Sequence, residues 1–363
     1  MKFQDEFRDR ELVRIMADNI RRMAERLAAP VNFMEVCGTH TMSIYQYGIR
    51  SLLPENVRLV SGPGCPVCVT PVGYVDQAIA CTADANNIVA TFGDMLRVPG
   101  SRTSLMEERA QGADVRIVYS PLDAVALAKD NPERRVIFLG VGFETTAPAI
   151  AASILEAARL GLANYCVLAA HKTMPVPMEI LTADPDLALS GYLCPAHVST
   201  VIGGNAYKPL VFKHHIPCVV TGFEPADVMQ GIEMLLAQVL AGESRVEIQY
   251  SRAVTWEGNP KAQRILGLVF EPCDAAWRGL GILPGSGLSI RPELAAFDAE
   301  QVLKLAEPEG WENPACRCGD VLKGKLAPFD CPLFATACTP EAPVGACMVS
   351  SEGTCAAAYK YGR

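Results

Sequence analysis

The chain has 363 residues and a net charge of −8, with half of its residues apolar and a fifth charged. That length calls for roughly two or three domains, and that composition for globular cores rather than disorder. No dense Lys/Arg stripe is present, so nucleic acid is not expected as a partner. The charged start MKFQDEFRDRELVRIM lacks the apolar stretch of a signal peptide, and no run reaches the ~18–20 apolar residues of a membrane span, so a cytoplasmic protein with no membrane contact is expected.

Residues 5–29 read as an amphipathic helix, with Leu12, Met16, Ile20, Met23 and Leu27 at three-to-four spacing and Pro30 ending it. In MEVCGTHT (34–41) an apolar approach ends at Cys37, followed by Gly38, which suits a tight turn after a strand. His40, three residues on, could lower the thiol pKa or act as a second ligand; on its own, a buried cysteine with a loop-capping histidine is the plainer reading.

Short apolar runs then recur, each ending in Gly or a polar turn: NIVATFGDM (87–95), RVIFLGVGFETT (135–146), YCVLAAH (165–171) and PCVVTGFE (217–224). Continuous runs of this kind suit strands buried on both faces of a parallel sheet. Helical stretches at 72–83, 122–129, 147–161 and 225–241 separate them, so the expected class is α/β. The similar turns FGD, GFETT and GFEP hint at two related α/β halves, with the GD, GFETT and AHK segments at the carboxyl ends of strands, where function gathers. From about residue 242, Gly and Pro become frequent (EGNP, LPGSG, EPEG) and strong strand runs vanish. Residues 311–363 are expected to be an irregular unit that needs a metal, with the N-terminal helix packing against it.

Fourteen cysteines in a reducing compartment point to metal or redox chemistry rather than a disulfide framework. Six lie in C-x-C-x12-C-x6-C-x8-C-x7-C spacing: Cys316, Cys318, Cys331, Cys338, Cys347 and Cys355. No histidine follows His215, and no pair of CxxC knuckles marks a zinc site. Long loops between thiols, with Pro soon after two of them (Cys331–Pro332 and Cys338–Thr339–Pro340), fit a [4Fe–4S] cluster better than zinc or buried free thiols. A cluster needs four ligands, and spacing does not choose four of the six.

SGPGCPVC (61–68) holds Cys65 and Cys68 at i and i+3, with Pro66 suited to the first turn of a helix whose N–H groups would favour a thiolate. A metal knuckle shares the pattern; the missing second CxxC favours a redox pair. Asp94 and Glu144, at expected strand ends, could be proton carriers or turn caps. His171 and His197 are more ordinary as packing residues, and Cys81, Cys166, Cys194, Cys218 and Cys273 as core thiols. There is no P-loop, and GVGFET lacks the third glycine of a dinucleotide fingerprint.

Taken together and in order, MEVCGTHT, SGPGCPVCVTP, FGDMLRVPG, GVGFETTAP, AHKTMPVPM and the tail CRCG…DCPLF…CTP…GACMVSSEGTCAAAYKY resemble the HypD family of hydrogenase maturation factors, with no departure in the core motifs. The resemblance implies two similar α/β domains flanking a cleft, at 31–130 (Cys37 and CPVC) and 131–241 (GFETT). It adds a third unit, 1–30 with 242–363, carrying a [4Fe–4S] cluster. It also implies a role in [NiFe]-hydrogenase maturation: with a HypC-type chaperone, the chain would be the scaffold for the Fe(CN)2CO unit, and a HypE-type partner would deliver cyanide-derived ligands. Cys37 would hold the iron, His40 would sit beside it, and Cys65–Cys68 would be redox-active. By analogy with ferredoxin–thioredoxin reductase, Cys316, Cys331, Cys338 and Cys355 would ligate the cluster, and Cys318 with Cys347 would form an adjacent redox pair. The expected mechanism is an electron and thiol relay from cluster to Cys318–Cys347 to Cys65–Cys68, keeping Cys37 a thiolate, with Asp94, Glu144 and His40 handling protons. Such a chain is a redox maturation factor, monomeric alone, rather than a conventional turnover enzyme. The rivals are a stand-alone iron–sulfur protein disulfide reductase and a scaffold whose cluster is structural.

Overall fold

The computed structural model describes residues 5–306 and 310–362; most of EPEG and the extreme ends of the expected third unit lie outside the described residues. Twelve strands are present among them: β1 (Val31–Glu35), β2 (Val57–Ser61), β3 (Asn87–Thr91), β4 (Val115–Ile117), β5 (Arg135–Gly140), β6 (Tyr165–Ala169), β7 (His171–Lys172), β8 (Leu189–Pro195), β9 (Cys218–Thr221), β10 (Val246–Ile248), β11 (Phe270–Trp277) and β12 (Gly281–Ile290). They form a parallel five-stranded sheet in the order β10-β9-β8-β1-β2, a parallel four-stranded sheet in the order β4-β3-β5-β6, and an antiparallel β11-β12-β7 sheet.

The α/β expectation holds, and its cause is visible in the packing. Val136, Ile137, Phe138 and Leu139 in β5 are all fully buried, because alternate residues enter two different cores. The same split serves the larger sheet. Phe33, Leu193 and Val219 face one core, while Met34, Cys194 and Val220 face another that also holds Cys65, Cys68, Cys318 and Cys347. Helices form close to the expected places, at Val72–Ala80, Pro121–Asp130, Ala147–Arg159 and Pro225–Ala241. Cys81, Cys166, Cys194 and Cys218 are core thiols as expected.

Three expectations about organisation need correction. The sheets do not divide at residue 130: β1 and β2 share a sheet with β8, β9 and β10, while β3 to β6 form the other. An apolar run announces a strand but not which sheet it joins, and here the chain leaves one sheet, builds a second and returns. The N-terminal helix, Arg10–Ala24 with Asp9 as its cap, packs on the Pro225–Ala241 helix and not on the cysteine-rich segment. Its Ala17, Ile20 and Ala24 complete the core under the larger sheet. Strands do not vanish after residue 242: β11 and β12 make the longest hairpin of the described residues, broken by an irregularity between Cys273 and Ala275. Its burial is patchy, with Phe270, Ala275 and Trp277 buried in β11 and Leu283, Ser286, Gly287 and Ile290 in β12, so it shows no continuous apolar run, and Pro272, Pro284 and several glycines disguise it further.

Beyond residue 310 the chain is indeed mostly loop, with helices only at Cys318–Leu322 and Thr354–Tyr361 apart from single 3-10 turns. It is tied to the α/β body by side chains: Arg97 donates to the carbonyls of Pro340 and Val349 at 3.1 Å, and Lys325 pairs with Asp184 at 2.8 Å.

Candidate thiol and metal site

Strands β1 and β2 run side by side, with Glu35 opposite Ser61, so their carboxyl ends bring CGTH and GPGCPVC together. Gly38 N–H donates to the Gly64 carbonyl at 2.9 Å, and Gly62 N–H to the Glu35 carbonyl at 2.8 Å. A Cβ on Gly64 would collide with the backbone N and Cα of Cys37, which is why this loop carries glycine there. The two motifs are therefore one structural unit.

Cys37 is buried and stands at the N-cap position of the helix Gly38–Gln46, its sulfur near the backbone N–H groups of His40 and Thr39 without closing a capping hydrogen bond. Burial foremost, then the charges of Glu352 and Glu35, outweigh the pull of those N–H groups and push the thiol up to about 12. A coordinated metal reverses this balance, since a ligating thiol is deprotonated. Glu35 lies beneath, fully buried; it accepts from Thr41 Oγ1 at 2.7 Å, and burial raises it to about 7. Glu352 accepts from Thr39 Oγ1 at 2.6 Å, and a Cβ on Gly38 would strike Glu352, so the C-terminal segment presses directly on the CGTH turn.

His40 does not act on the thiol as expected. Its ring Nε2 faces the carbonyls of Thr221 and Gly222 at 2.9 and 3.0 Å, so this nitrogen carries the proton, and Nδ1 has no partner. Burial lowers the ring to about 4, leaving it neutral; its contribution at Cys37 is a backbone N–H. His197 stacks at 4.1 Å on Phe223, which also meets His40 at 4.9 Å, and lies close enough to Glu352 to feel its charge.

Cys65 and Cys68 are joined as a disulfide with Cα atoms 5.2 Å apart. Cys65 caps the short helix Pro66–Val69, and Pro66 takes its first position, as its fixed φ predicts. Cys68 Sγ sits 3.8 Å from the carbonyl of Ala346, the residue before Cys347. Arg278, at the tip of the β11–β12 hairpin, donates its backbone N–H to Val69 O at 2.8 Å, its Nε to Thr70 O at 3.1 Å and its Nη1 to Glu312 at 3.0 Å.

All six C-terminal cysteines line one small cavity, together with Leu333, Phe334 and Met348. Cys318 lies against both Cys316 and Cys347, and Cys347 also against Cys355, so four of the thiols form a row. Those two thiol contacts, with a smaller contribution from the Arg278 charge, hold Cys318 well below its usual range, while Cys316 and Cys347 are raised. Cys338 accepts the Val344 N–H at 3.3 Å. A Cβ on Gly345 would press on Cys316 Sγ, so the glycine of GACM makes room for that thiol.

The other two expected proton carriers, Asp94 and Glu144, make their hydrogen bonds away from the Cys37 turn. Asp94 accepts from Ser350 Oγ at 2.7 Å and so anchors the C-terminal segment. Glu144 accepts the Met174 N–H at 3.0 Å, its other oxygen has no partner, and burial raises it to about 7. Glu35 lies in MEVCGTHT and Glu352 in the tail motif, but nothing local gives either a role, and Arg278 lies in no motif; only the fold sets them beside the thiols.

A sequence model of HypD, described as the hydrogenase formation hypA family, matches residues 11–362. The chain belongs to the HypD family. It is 49% identical to the hydrogenase maturation factor HypD of Azotobacter vinelandii, covering 100% of this chain and 97% of that protein. The HypD of Escherichia coli K12 is 45% identical over 99% of this chain and 98% of its own. A putative hydrogenase expression/formation protein of Methanocaldococcus jannaschii is 44% identical over 98% of each. Among the described residues of this HypD-family chain, no helix is long and apolar enough to cross a membrane.

Proposed function

We propose that this HypD-family chain serves hydrogenase maturation as the scaffold on which iron acquires its diatomic ligands, working with a HypC-type chaperone and a HypE-type ligand donor. The observation that carries the reading is contiguity: Gly64 lies on the Cys37 backbone, and Cys68 lies on Ala346 beside Cys347. Three groups of thiols far apart in the chain thus adjoin.

Iron of the Fe(CN)2CO unit is the substrate here, and the Cys37 thiolate holds it, soft sulfur suiting such iron. Its binding displaces the Cys37 proton, and Glu352, whose charge already acts on that sulfur, accepts it. His40 stays neutral and fixes Cys37's helix to the end of β9.

Cys316, Cys331, Cys338 and Cys355 would hold a [4Fe–4S] cluster. The donor set fits: the cavity offers only thiols, walled by Leu333, Phe334 and Met348. A cluster takes one thiolate at each of four separate irons, so four of the six thiols in this cavity would suffice. Bound there, the cluster supplies one-electron redox chemistry. Cys318 and Cys347 stand in the middle of the thiol row, in contact, as a dithiol pair would. As a dithiol they reduce Cys65–Cys68: two electrons and two protons pass, one disulfide opens and the other closes.

The test is an infrared spectrum of the chain copurified with a HypC-type partner. CN and CO bands are expected in the native protein and absent in Cys37→Ala; bands that persist in Cys37→Ala would sink the reading. Cys65→Ala and Cys68→Ala should abolish maturation while cluster absorbance and partner binding survive. Unimpaired maturation there would leave only a passive scaffold.

A further inference from the structure

The AHK segment takes no part in the thiol site, yet it breaks a rule of protein interiors. His171 and Lys172 form β7, paired with Leu288 and Gly287 of β12 just past the carboxyl end of β6. In open α/β sheets ligands bind at that edge. His171 is 1% exposed and Lys172 5%. Neither ring nitrogen of His171 has a hydrogen-bond partner, and the Lys172 ammonium has no hydrogen bond or ion pair among the described residues. Lysine is almost never buried this deeply without a partner, because an uncompensated charge away from water is costly.

Both residues line a cavity of about 230 Å³, the space of roughly seven waters. Cys273 lies near the ammonium, and burial lowers Lys172 only to about 8, so it stays mostly charged at neutral pH. Burial keeps His171 uncharged. Asp298 and Glu300 line the same cavity, and the charges that act on Lys172 include neither of them. Asp298 accepts the Glu300 N–H at 3.0 Å, and Gln77, which lies near Glu300, donates to the Ala306 carbonyl at 3.1 Å. The cavity is therefore lined by an unpartnered cation and by two carboxylates that are not paired with it.

We propose that this cavity binds a small zwitterion of the amino-acid type, its carboxylate on Lys172 and its ammonium toward Asp298 and Glu300. The site is separate from the thiols and stands whether or not the scaffold reading does.

The chain's five histidines make side-chain NMR a direct test on the full-length protein. With ¹³C-labelled histidine, and the His171 signal assigned through His171→Gln, glycine should shift that signal saturably and leave the other four in place. Acetate should bind about tenfold or more weakly, lacking the ammonium, and Lys172→Met should weaken glycine by a similar factor. Lys172→Arg should retain binding, and Asp298→Asn should weaken glycine but not acetate. The unmoved four signals report that each variant is folded. The proposal is overturned if glycine leaves His171 unmoved, if Lys172→Met responds like the native chain, or if acetate binds as tightly as glycine.

Discussion

The two thiol-bearing regions are built in opposite ways. Around Cys37 and CPVC, adjacent parallel strands set the backbone, and hydrogen bonds among Gly38, Gly62, Gly64 and Glu35 position each sulfur before any side chain matters. Around Cys316–Cys355 there is almost no regular backbone, and the loops are placed by side-chain ties from Arg97, Lys325, Asp94 and Arg278. The first region is fixed by its fold; the second borrows rigidity from the body and, in the reading above, from its cluster. The same residue type thus serves a site that must be ready and a site that is completed on loading.

Glycines measure the difference most sharply. In Gly64→Ala the new methyl meets the Cys37 backbone, which has no rotamer to yield, so a loss of about 3 kcal/mol or more in denaturant unfolding is expected. A loss near zero would mean that the CGTH turn is not rigid. Glu144, outside both regions, tests burial alone. Its acid is raised from 4.5 to about 7, so the folded state favours the protonated form. Stability from this group is complete below 4.5 and falls as pH rises through about 7. Glu144→Gln should remove a decline of about 3 kcal/mol, read from unfolding midpoints across that range.

Arg278→Met should cost about 2 kcal/mol, because the Thr70 carbonyl and Glu312 lose a charged donor at the seam between the two regions. A shifted reduction potential for Cys65–Cys68, restored in Arg278→Lys, would show that the seam matters beyond stability. Gly345→Ala in the loop region should cost only about 1 kcal/mol, since its methyl meets the movable end of Cys316. Its larger effect should be lower cluster occupancy, measured by visible absorbance after reconstitution. A cost equal to that of Gly64→Ala would erase the contrast.

Much of this was legible beforehand. Continuous apolar runs such as RVIFLG and CVVT marked strands buried on both faces, and Pro66 marked a helix start after Cys65. The β11–β12 hairpin was hidden because only scattered residues in it are buried, and β1 and β8 carried a polar residue early in each. His40 is near Cys37 in sequence, which leaves both a thiol-partner and a loop-capping role open, and a helix turn sends its ring to the end of β9.

By itself the sequence determined the α/β class, the positions of most helices and strands, the separation of the cysteines into two groups, and the family, because periodicity, turn chemistry and long motifs are local properties. The tertiary structure alone decided that β1 and β2 join β8 to β10, that Gly64 rests on Cys37, that Glu352 reaches the CGTH turn from the far end of the chain, and that six scattered thiols face one cavity. These contacts join segments from 27 residues apart, Gly64 on Cys37, to 313 apart, Glu352 on Thr39, and they follow from sheet order and close packing, which no local pattern encodes.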